Sequence, residues 1–531
     1  MEYGLIGAKL GHSFSRRIHE SMWCDDYALL ELDEAQAQAF FRRRAFRGVN
    51  VTIPYKRLAA SMCDRLDPVA ARIGGVNTVV RERDGSLTGY NTDYFGLRAA
   101  MERAGLPAAG RKALVLGSGG TSATARAALA DMGARAVVTV SRRGPVRYGD
   151  LARHADAELI VNTTPVGMYP DTGASPADPS AFPGLRGVMD VVYNPLRTAL
   201  VLSALDLGVP CANGLYMLVA QAAQAAQRFT GAAVGAALVE RVYRDLCRDV
   251  TNLVLIGMPG CGKTSVGRAL ADALGRRLID TDEEVERAAG RPIADIFARD
   301  GESAFRRLEA QAVAQAGRQS GVVIATGGGA PLSAENRASL RQNGRIYYIE
   351  RDLAALAREG RPLSSGAQAL ENMYAARLPV YRALCDREVR NTRSAAACAA
   401  AASPIWTPAA VRAKSGWKVW NTAMARMAAR RSASMRGSLA LRAGCAAMSA
   451  PTRLREAADE LHEHLDHLLE RGHGDELVHA VAAVRARREV GAGQAAEREL
   501  GAVGAPADGD HLGHDAGGGE RLLGPLDELG V

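Results

Sequence analysis

At 531 residues the chain is too long for one compact core and points to about three domains; 47% hydrophobic and 5% aromatic content is compatible with soluble globular protein. The formal charge of +8 comes from Arg scattered along the chain, without the dense basic blocks that track a phosphate backbone, so small anionic substrates are expected and nucleic acid is not. No apolar run approaches the ~18 residues of a membrane span, the first residues lack a signal peptide's layout, and eight cysteines without a CxxC pair read as reduced thiols. A cytoplasmic protein with no membrane partner is the expectation.

In chain order, four polar clusters come first, each set between apolar stretches: Gly11-His12-Ser13-Phe14-Ser15, Asn50-Val51-Thr52-Ile53-Pro54-Tyr55-Lys56, Val76-Asn77-Thr78 and Asn91-Thr92-Asp93. Taken singly, each also fits a capping or turn motif. An apolar strand, Ala113–Leu116, then runs into Gly117-Ser118-Gly119-Gly120. Strand, glycine turn and helix is the layout that delivers backbone N–H groups to phosphate. Ser122 stands where the full dinucleotide fingerprint has its third glycine, so the turn alone fits a structural role equally well. The next strand, Ala136–Val140, ends in Ser141-Arg142-Arg143. An acidic residue there would hold the ribose 2′-hydroxyl of NAD; two Arg suit the 2′-phosphate of NADP.

Four such clusters ahead of a nucleotide domain, followed by Asp190-Val191-Val192-Tyr193-Asn194-Pro195 and by Asn213-Gly214-Leu215 with Val219-Ala220-Gln221-Ala222, closely resemble the shikimate dehydrogenase family over about residues 3–248. The resemblance implies that Ser13 and Ser15 bind the substrate carboxylate. It implies that Thr52, Asn77 and Gln221 hold ring hydroxyls, with Tyr193 also on the substrate, and that Lys56 and Asp93 form the catalytic pair. Gly117, Gly119, Gly120, Ser141, Arg142, Arg143 and Gly214 would then contact NADP(H). The chemistry agrees: reducing a ring ketone needs a proton on the emerging alkoxide, and an ammonium can donate it while stabilising negative charge on oxygen.

Farther on, Val234–Arg248 reads as a helix running almost directly into the strand Leu253–Ile256, with no Pro/Gly/Ser linker, so the two halves are expected to sit close together. Gly257-Met258-Pro259-Gly260-Cys261-Gly262-Lys263-Thr264 matches GxxxxGK[ST] in full, ahead of a helix read as Ser265–Leu274. In such a loop the backbone cradles phosphate, Lys263 neutralises the β/γ oxygens and Thr264 ligates Mg²⁺. Cys261 reads as a tolerated spacer in the loop. In Leu278-Ile279-Asp280-Thr281-Asp282 the strand period of two places both carboxylates on one face of a strand end.

The stretch of about residues 251–400 that contains this loop resembles shikimate kinase. By that resemblance Gly260, Cys261, Gly262, Lys263, Thr264, Ser265 and the lid residue Arg361 bind ATP, and Thr264 and Asp280 hold Mg²⁺. Asp282 binds the acceptor hydroxyl and orients or deprotonates it, Arg306 and Arg377 grip the substrate carboxylate, and Gly328 and Gly329 let backbone amides approach the ring after the strand Val322–Ala325.

Composition changes sharply after about residue 402: the last Phe is Phe305, the last Tyr is Tyr381, and seven of ten histidines lie at or after His462. The tail, 404–531, matches no recognised family and is expected to be disordered or partly helical, with Leu454, Leu461 and Leu468 repeating at seven. Its abrupt composition also fits out-of-frame GC-rich coding, and His462, His464 and His467 on a polar stretch carry no strong metal signal.

The expected architecture is α/β throughout. A substrate-binding domain (1–104, completed by helices from 214–250) and a Rossmann-like NADP domain (105–213) precede a P-loop α/β domain of the nucleoside-monophosphate-kinase type (251–403). The expected activity is reduction of 3-dehydroshikimate with NADPH, then phosphorylation of shikimate with MgATP. Two alternatives stand beside it: a first half acting on quinate or a related acid, and a non-catalytic nucleotide-regulated binding protein. Oligomeric state is not legible.

Overall fold

The computed structural model describes residues 2–11, 13–356, 367–391, 395, 398 and 399. Arg361, the heptad leucines and histidines of the tail, and everything from 400 onward lie outside the described residues.

Three sheets succeed one another along the chain. The first holds β1 (Tyr3–Gly7), β2 (Tyr27–Glu31), β3 (Gly48–Val51), β4 (Arg65–Leu66), β5 (Thr78–Arg81) and β6 (Leu87–Tyr90) in the order β2-β1-β3-β5-β6-β4. Its β2-β1-β3 portion is parallel and β5 pairs antiparallel with both β3 and β6. The second holds β7 (Lys112–Leu116), β8 (Ala136–Val140), β9 (Leu159–Asn162), β10 (Gly187–Asp190) and β11 (Cys211–Ala212), all parallel, in the order β11-β10-β9-β7-β8. The third holds β12 (Asn252–Ile256), β13 (Leu278–Asp280), β14 (Val323–Ala325), β15 (Gly344–Glu350) and β16 (Arg387–Arg390), again all parallel, in the order β13-β14-β12-β15-β16.

Strands covered by helices on both faces need continuous apolar runs, and Ala113–Leu116 and Leu253–Ile256 supply them, every residue buried. In both sheets the glycine turn comes directly after the first of these strands at its carboxyl end, where open α/β sheets bind ligands. In the second sheet β7 and β9 are neighbours whose connections leave in opposite directions, which opens the crevice beside Gly117.

Two helices tie the first sheet to the second. Thr92–Arg103 lies against Gly214–Thr230 so closely that a Cβ on Gly96 would sit 2.5 Å from the Met217 carbonyl. Leu97 and Met101 are buried in the same cluster as Met217, and each such side chain contributes on the order of 1.5–3 kcal/mol. This pairing carries Asp93 and Gln221 towards one another from distant points in the chain.

The helix expected over 234–248 runs Ala236–Val250; its buried stripe of Val239, Val242, Leu246 and Val250 is spaced three or four residues apart and packs with Leu215, Val219 and Ala222. Only Thr251 separates it from β12. The expected closeness of the halves is what the fold contains, with Arg341 in the second half paired to Asp206 in the first at 2.6 and 3.0 Å.

Candidate active sites

In the first half, Tyr55 ends the loop after β3 and Lys56 opens the helix Lys56–Met62, so the Lys56 ammonium enters the cleft from a helix N-terminus. Asp93 comes from the first turn of Thr92–Arg103, whose N-cap is Asn91. The two side chains form a charge-assisted hydrogen bond and are both largely shielded from water.

Beside them lies a buried polar network. Asn77 Nδ2 donates to the Thr92 hydroxyl at 3.0 Å and to Gln221 Oε1 at 3.4 Å, while Asn77 Oδ1 accepts from the Thr92 amide at 2.6 Å. The Thr92 hydroxyl lies 3.1 Å from Gln221 Oε1, and Gln221 Nε2 donates to the Leu218 carbonyl at 3.0 Å. Asn50 extends the network, donating to Thr78 at 3.0 Å and accepting from Tyr27 at 2.6 Å. Asn77, Gln221, Lys56 and Asp93 are thus brought together. Thr92, Thr78 and Asn50 join them without having been assigned a role; they sit inside the quoted clusters, but only the folded network distinguishes them from caps.

Ser13 and Ser15 share a tight turn, with the Ser15 amide donating to Ser13 Oγ at 3.2 Å. Phe14 between them meets the Tyr193 ring at 5.8 Å between centroids, which sets this turn against the Tyr193–Pro195 loop. Thr52 is half-buried at the end of β3, its amide donating to the Ile6 carbonyl at 3.0 Å.

At the nucleotide side, Gly119 caps the helix Gly120–Asp131, and Gly119 and Gly120 face open space. Gly117 has φ +117°, and a side chain there would strike Thr163 of the neighbouring strand end. Ser122, out of place in the fingerprint, is buried with its hydroxyl donating to the Gly117 carbonyl at 2.7 Å, so the turn keeps its shape without the third glycine. Ser141 is buried, while Arg142 and Arg143 are exposed at the end of β8. An exposed guanidinium pair beside an open helix N-terminus fits a phosphorylated dinucleotide. Gly214 packs against the Val191 carbonyl, which any Cβ would overlap; backbone crossing requires the glycine there, whatever else it touches.

In the second half, Gly257–Gly262 wraps the N-terminus of a helix that begins at Lys263, two residues before the expected start, with Gly262 at φ +93° as its cap. Lys263 is buried, and its ammonium donates to the Gly257 and Met258 carbonyls, both at 3.0 Å. Its third donor meets only the Cys261 sulfur, at 3.9 Å, a weak acceptor that a phosphate oxygen can replace. Asn391 Nδ2 braces the loop from outside, donating to the Cys261 carbonyl at 2.8 Å. Cys261 is buried in the core, and Ser265 is exposed on the first helical turn.

The placement of the two aspartates differs from expectation. β13 ends at Asp280, and Asp282 lies in the first turn of the helix Thr281–Ala289 rather than on the strand. They remain together because Asp280 is that helix's cap: its Oδ1 accepts from the Asp282 amide at 3.0 Å and its Oδ2 from the Thr264 hydroxyl at 2.6 Å. Capping, not strand alternation, makes the pair. Burial, reinforced by the Asp280 charge, pushes the Asp282 carboxyl up to about 6, against the pull of Lys263.

Around Asp282 the glycine run closes in: a Cβ on Gly327 would lie 2.5 Å from Asp282 Oδ1 and 3.1 Å from Glu309 Oε1, and one on Gly329 would lie 2.5 Å from Arg306 Nη1. Gly328 backs onto Pro259, and its carbonyl accepts from the Tyr381 hydroxyl at 2.5 Å. Arg306 is held by Glu309 at 2.9 Å and by Glu302 at 3.0 Å. Arg377 is buried beside Glu309 and Tyr381. Glu309, 2% exposed, had no assigned role; nothing in the local sequence separates it from an ordinary helix glutamate.

Residues 5–79 match the model of the shikimate dehydrogenase substrate binding domain, and residues 259–404 match that of shikimate kinase. A shikimate dehydrogenase (NADP(+)) of Clostridium perfringens (strain SM101 / Type A) is 35% identical over 268 residues, which cover 46% of this chain and 98% of that protein. The chain belongs to the shikimate dehydrogenase family. A second such dehydrogenase, from Moorella thermoacetica, is 35% identical over 271 residues, covering 45% of this chain and 92% of its own length. Among solved structures, shikimate 5-dehydrogenase from Thermus thermophilus in complex with NADP(H) and shikimate shares 32% identity, with 46% and 99% of the two chains covered and a TM-score of 0.42. With the kinase match beyond it, the chain is a shikimate dehydrogenase joined to a shikimate kinase, a bifunctional enzyme of the shikimate pathway. Among the described residues no helix is long and apolar enough to cross a membrane.

Proposed function

We propose that residues 1–250 reduce 3-dehydroshikimate to shikimate with NADPH and that residues 251–403 phosphorylate shikimate with MgATP. In this reading the substrate domain is 1–104, completed by helices from 214–250, and the dinucleotide domain is 105–213. The observation that carries the first activity is the Lys56–Asp93 pair set beside the Asn77–Thr92–Gln221 network: one proton donor next to several hydroxyl-binding groups.

NADPH supplies the hydride when bound. Lys56 Nζ delivers a proton to the oxygen that becomes a hydroxyl, and its charge stabilises that oxygen as negative charge builds. Asp93 fixes where the ammonium points. Asn77, Thr52 and Gln221 select a ring bearing hydroxyls, because a site built to hydrogen-bond hydroxyls rejects an analogue that lacks them. Ser13, Ser15 and Tyr193 hold its carboxylate end. Gly117, Gly119, Gly120 and Gly214 line the dinucleotide, and Arg142 and Arg143 with Ser141 take the 2′-phosphate.

In the kinase half the loop amides from Gly260 to Ser265, with Lys263, cradle the phosphates. Thr264 and Asp280 would hold Mg²⁺; a hydroxyl and a carboxylate 2.6 Å apart are the hard oxygen donors it takes in ones and twos, phosphate completing the set. Asp282 accepts the hydrogen bond of the acceptor hydroxyl and aims it in line. Arg306 and Arg377, backed by Gly328 and Gly329, hold the carboxylate. Arg361 is the proposed lid contact.

The full chain given 3-dehydroshikimate and NADPH, then MgATP, should consume NADPH first and release ADP only after shikimate has formed. NADPH consumption with quinate-series substrate alone, or ADP release without any shikimate, would overturn the reading.

A further inference from the structure

The helix Ala334–Asn343 of the kinase half starts beside the Gly327–Leu332 segment and ends against the dehydrogenase half. Its last residue, Asn343, is 2% exposed, and both polar ends of its side chain are given to dehydrogenase residues. Oδ1 accepts from the Leu196 amide at 2.8 Å, and Nδ2 donates to the Tyr169 hydroxyl at 3.0 Å. Next to it the Gln342 carbonyl accepts from the Arg197 amide at 3.0 Å, and the Arg197 guanidinium reaches the Gly344 carbonyl. Tyr169 completes the joint by donating to the Gly317 carbonyl at 3.0 Å.

These contacts converge on one loop. Leu196 directly follows Tyr193-Asn194-Pro195, and the Tyr169 amide donates to the Asn194 carbonyl at 3.3 Å. The Leu196 carbonyl accepts from Asn213 Nδ2 at 2.8 Å, and Asn213 is the N-cap of the helix that carries Gln221. Tyr193, in turn, rests on Phe14 between Ser13 and Ser15. A buried amide that grips the loop at Leu196 and, through Tyr169, at Asn194 acts on substrate-side groups that it never touches. The other cross-half contacts near it, Arg341 with Asp206 and Arg318 with the Pro170 carbonyl, are exposed and grip only the rim.

We propose that Asn343 of the kinase half is a positioning residue for the dehydrogenase reaction, holding the Tyr193–Leu196 loop in its working geometry. The proposal rests on the reading of residues 1–250 as the reductase. Misplacement of a reacting group by about 1 Å costs up to about 10²-fold. Because the Arg197 amide and guanidinium still tie the loop to the Gln342 and Gly344 carbonyls, loss of both Asn343 grips should cost about tenfold, chiefly in kcat.

The test uses the full chain. Asn343→Ala should lower kcat for NADPH-dependent reduction about tenfold, move the two KM values by less than about threefold, and leave phosphorylation of added shikimate within about twofold. Tyr169→Phe, which spares the Leu196 bond, should lose less, and Arg341→Ala at the exposed rim should leave both reactions unchanged. Wild-type reduction by Asn343→Ala would overturn the proposal, as would equal loss of both reactions, which marks a general folding defect. A wild-type chain that reduces nothing would instead overturn the functional reading itself.

Discussion

In the dehydrogenase half Lys56, Asn77, Asp93 and Gln221 come from four separate segments: backbone bonds around the first sheet gather the first three, and Gln221 joins them because helix Thr92–Arg103 presses on Gly214–Thr230. In the kinase half Gly257 to Thr264 is one uninterrupted run of chain, a loop and the first residues of the helix it caps, and Lys263 is held by carbonyls of that loop. The first site is assembled by tertiary packing, and its polar groups bond to each other. The second has a phosphate cradle made by local backbone and braced by Asn391 and Asp280, to which the acceptor side, Asp282, Glu309, Arg306 and Arg377, is brought from elsewhere. An assembled site should pass damage from one residue to the next, and a local one should confine it.

The largest effect tests chemistry at the assembled site. Lys56→Ala should lower reductive turnover about 10²–10⁴-fold while raising the substrate KM far less, because a proton donor acts mainly in the transition state. Steady-state kinetics decide it; unchanged turnover removes Lys56 from its role.

Arg377→Ala probes the acceptor side of the kinase. Losing a charge-assisted bond to a carboxylate costs about 1.5–3 kcal/mol, so the KM for shikimate should rise about 10- to 100-fold. ATP binding, measured by calorimetry, should hardly change; equal loss of both ligands would mean that the two sides of this site are not separable.

Asn77→Ala tests whether damage spreads in the network. It orphans the buried Thr92 amide and removes one of the two bonds to Gln221 Oε1, which should cost on the order of 1–3 kcal/mol of stability in addition to substrate affinity. Thermal unfolding measures the first loss and KM the second, and a variant that loses affinity at wild-type melting temperature would show that the network is not cooperative.

The smallest effect depends on pH. Asp190 is buried behind the Tyr193 loop, accepting from Thr198 at 2.7 Å and from Asn162 and the Val192 amide at 3.0 Å, yet burial still pushes its carboxyl up to about 6. An acid raised in the fold stabilises most below its unfolded value, and that contribution is lost as pH rises through about 6. The melting temperature of wild type minus that of Asp190→Asn should therefore fall between about pH 4 and 6 and level off above. A flat difference would remove the effect of burial.

The same contrast explains what could be read without the fold. Eight contiguous residues spelled the phosphate loop, and their helix began only two residues from its expected start. The dehydrogenase clusters were legible as clusters, since each had to bring polar groups to a strand or helix end. Their internal wiring through Asn50, Thr78 and Thr92 was not, because caps and networks use the same residue types. Asp280 and Asp282 were read as neighbours for the wrong reason: strand period and helix capping both bring residues two apart together, and only the end of β13 distinguishes them. Ser122 looked like a defect until its hydroxyl found the Gly117 carbonyl. Glu309 and Asn343 have no local signature at all; a helix glutamate and a helix-ending asparagine become particular only through partners far along the chain.

The central claim, two independent chemistries in one chain, is tested most directly by a pair of full-length variants assayed for both reactions. Lys56→Ala should cut NADPH-dependent reduction by at least about 10²-fold and phosphorylate added shikimate at the wild-type rate, and Lys263→Ala should cut phosphorylation while reducing at the wild-type rate. Loss of both reactions in either variant, or of neither, would contradict it.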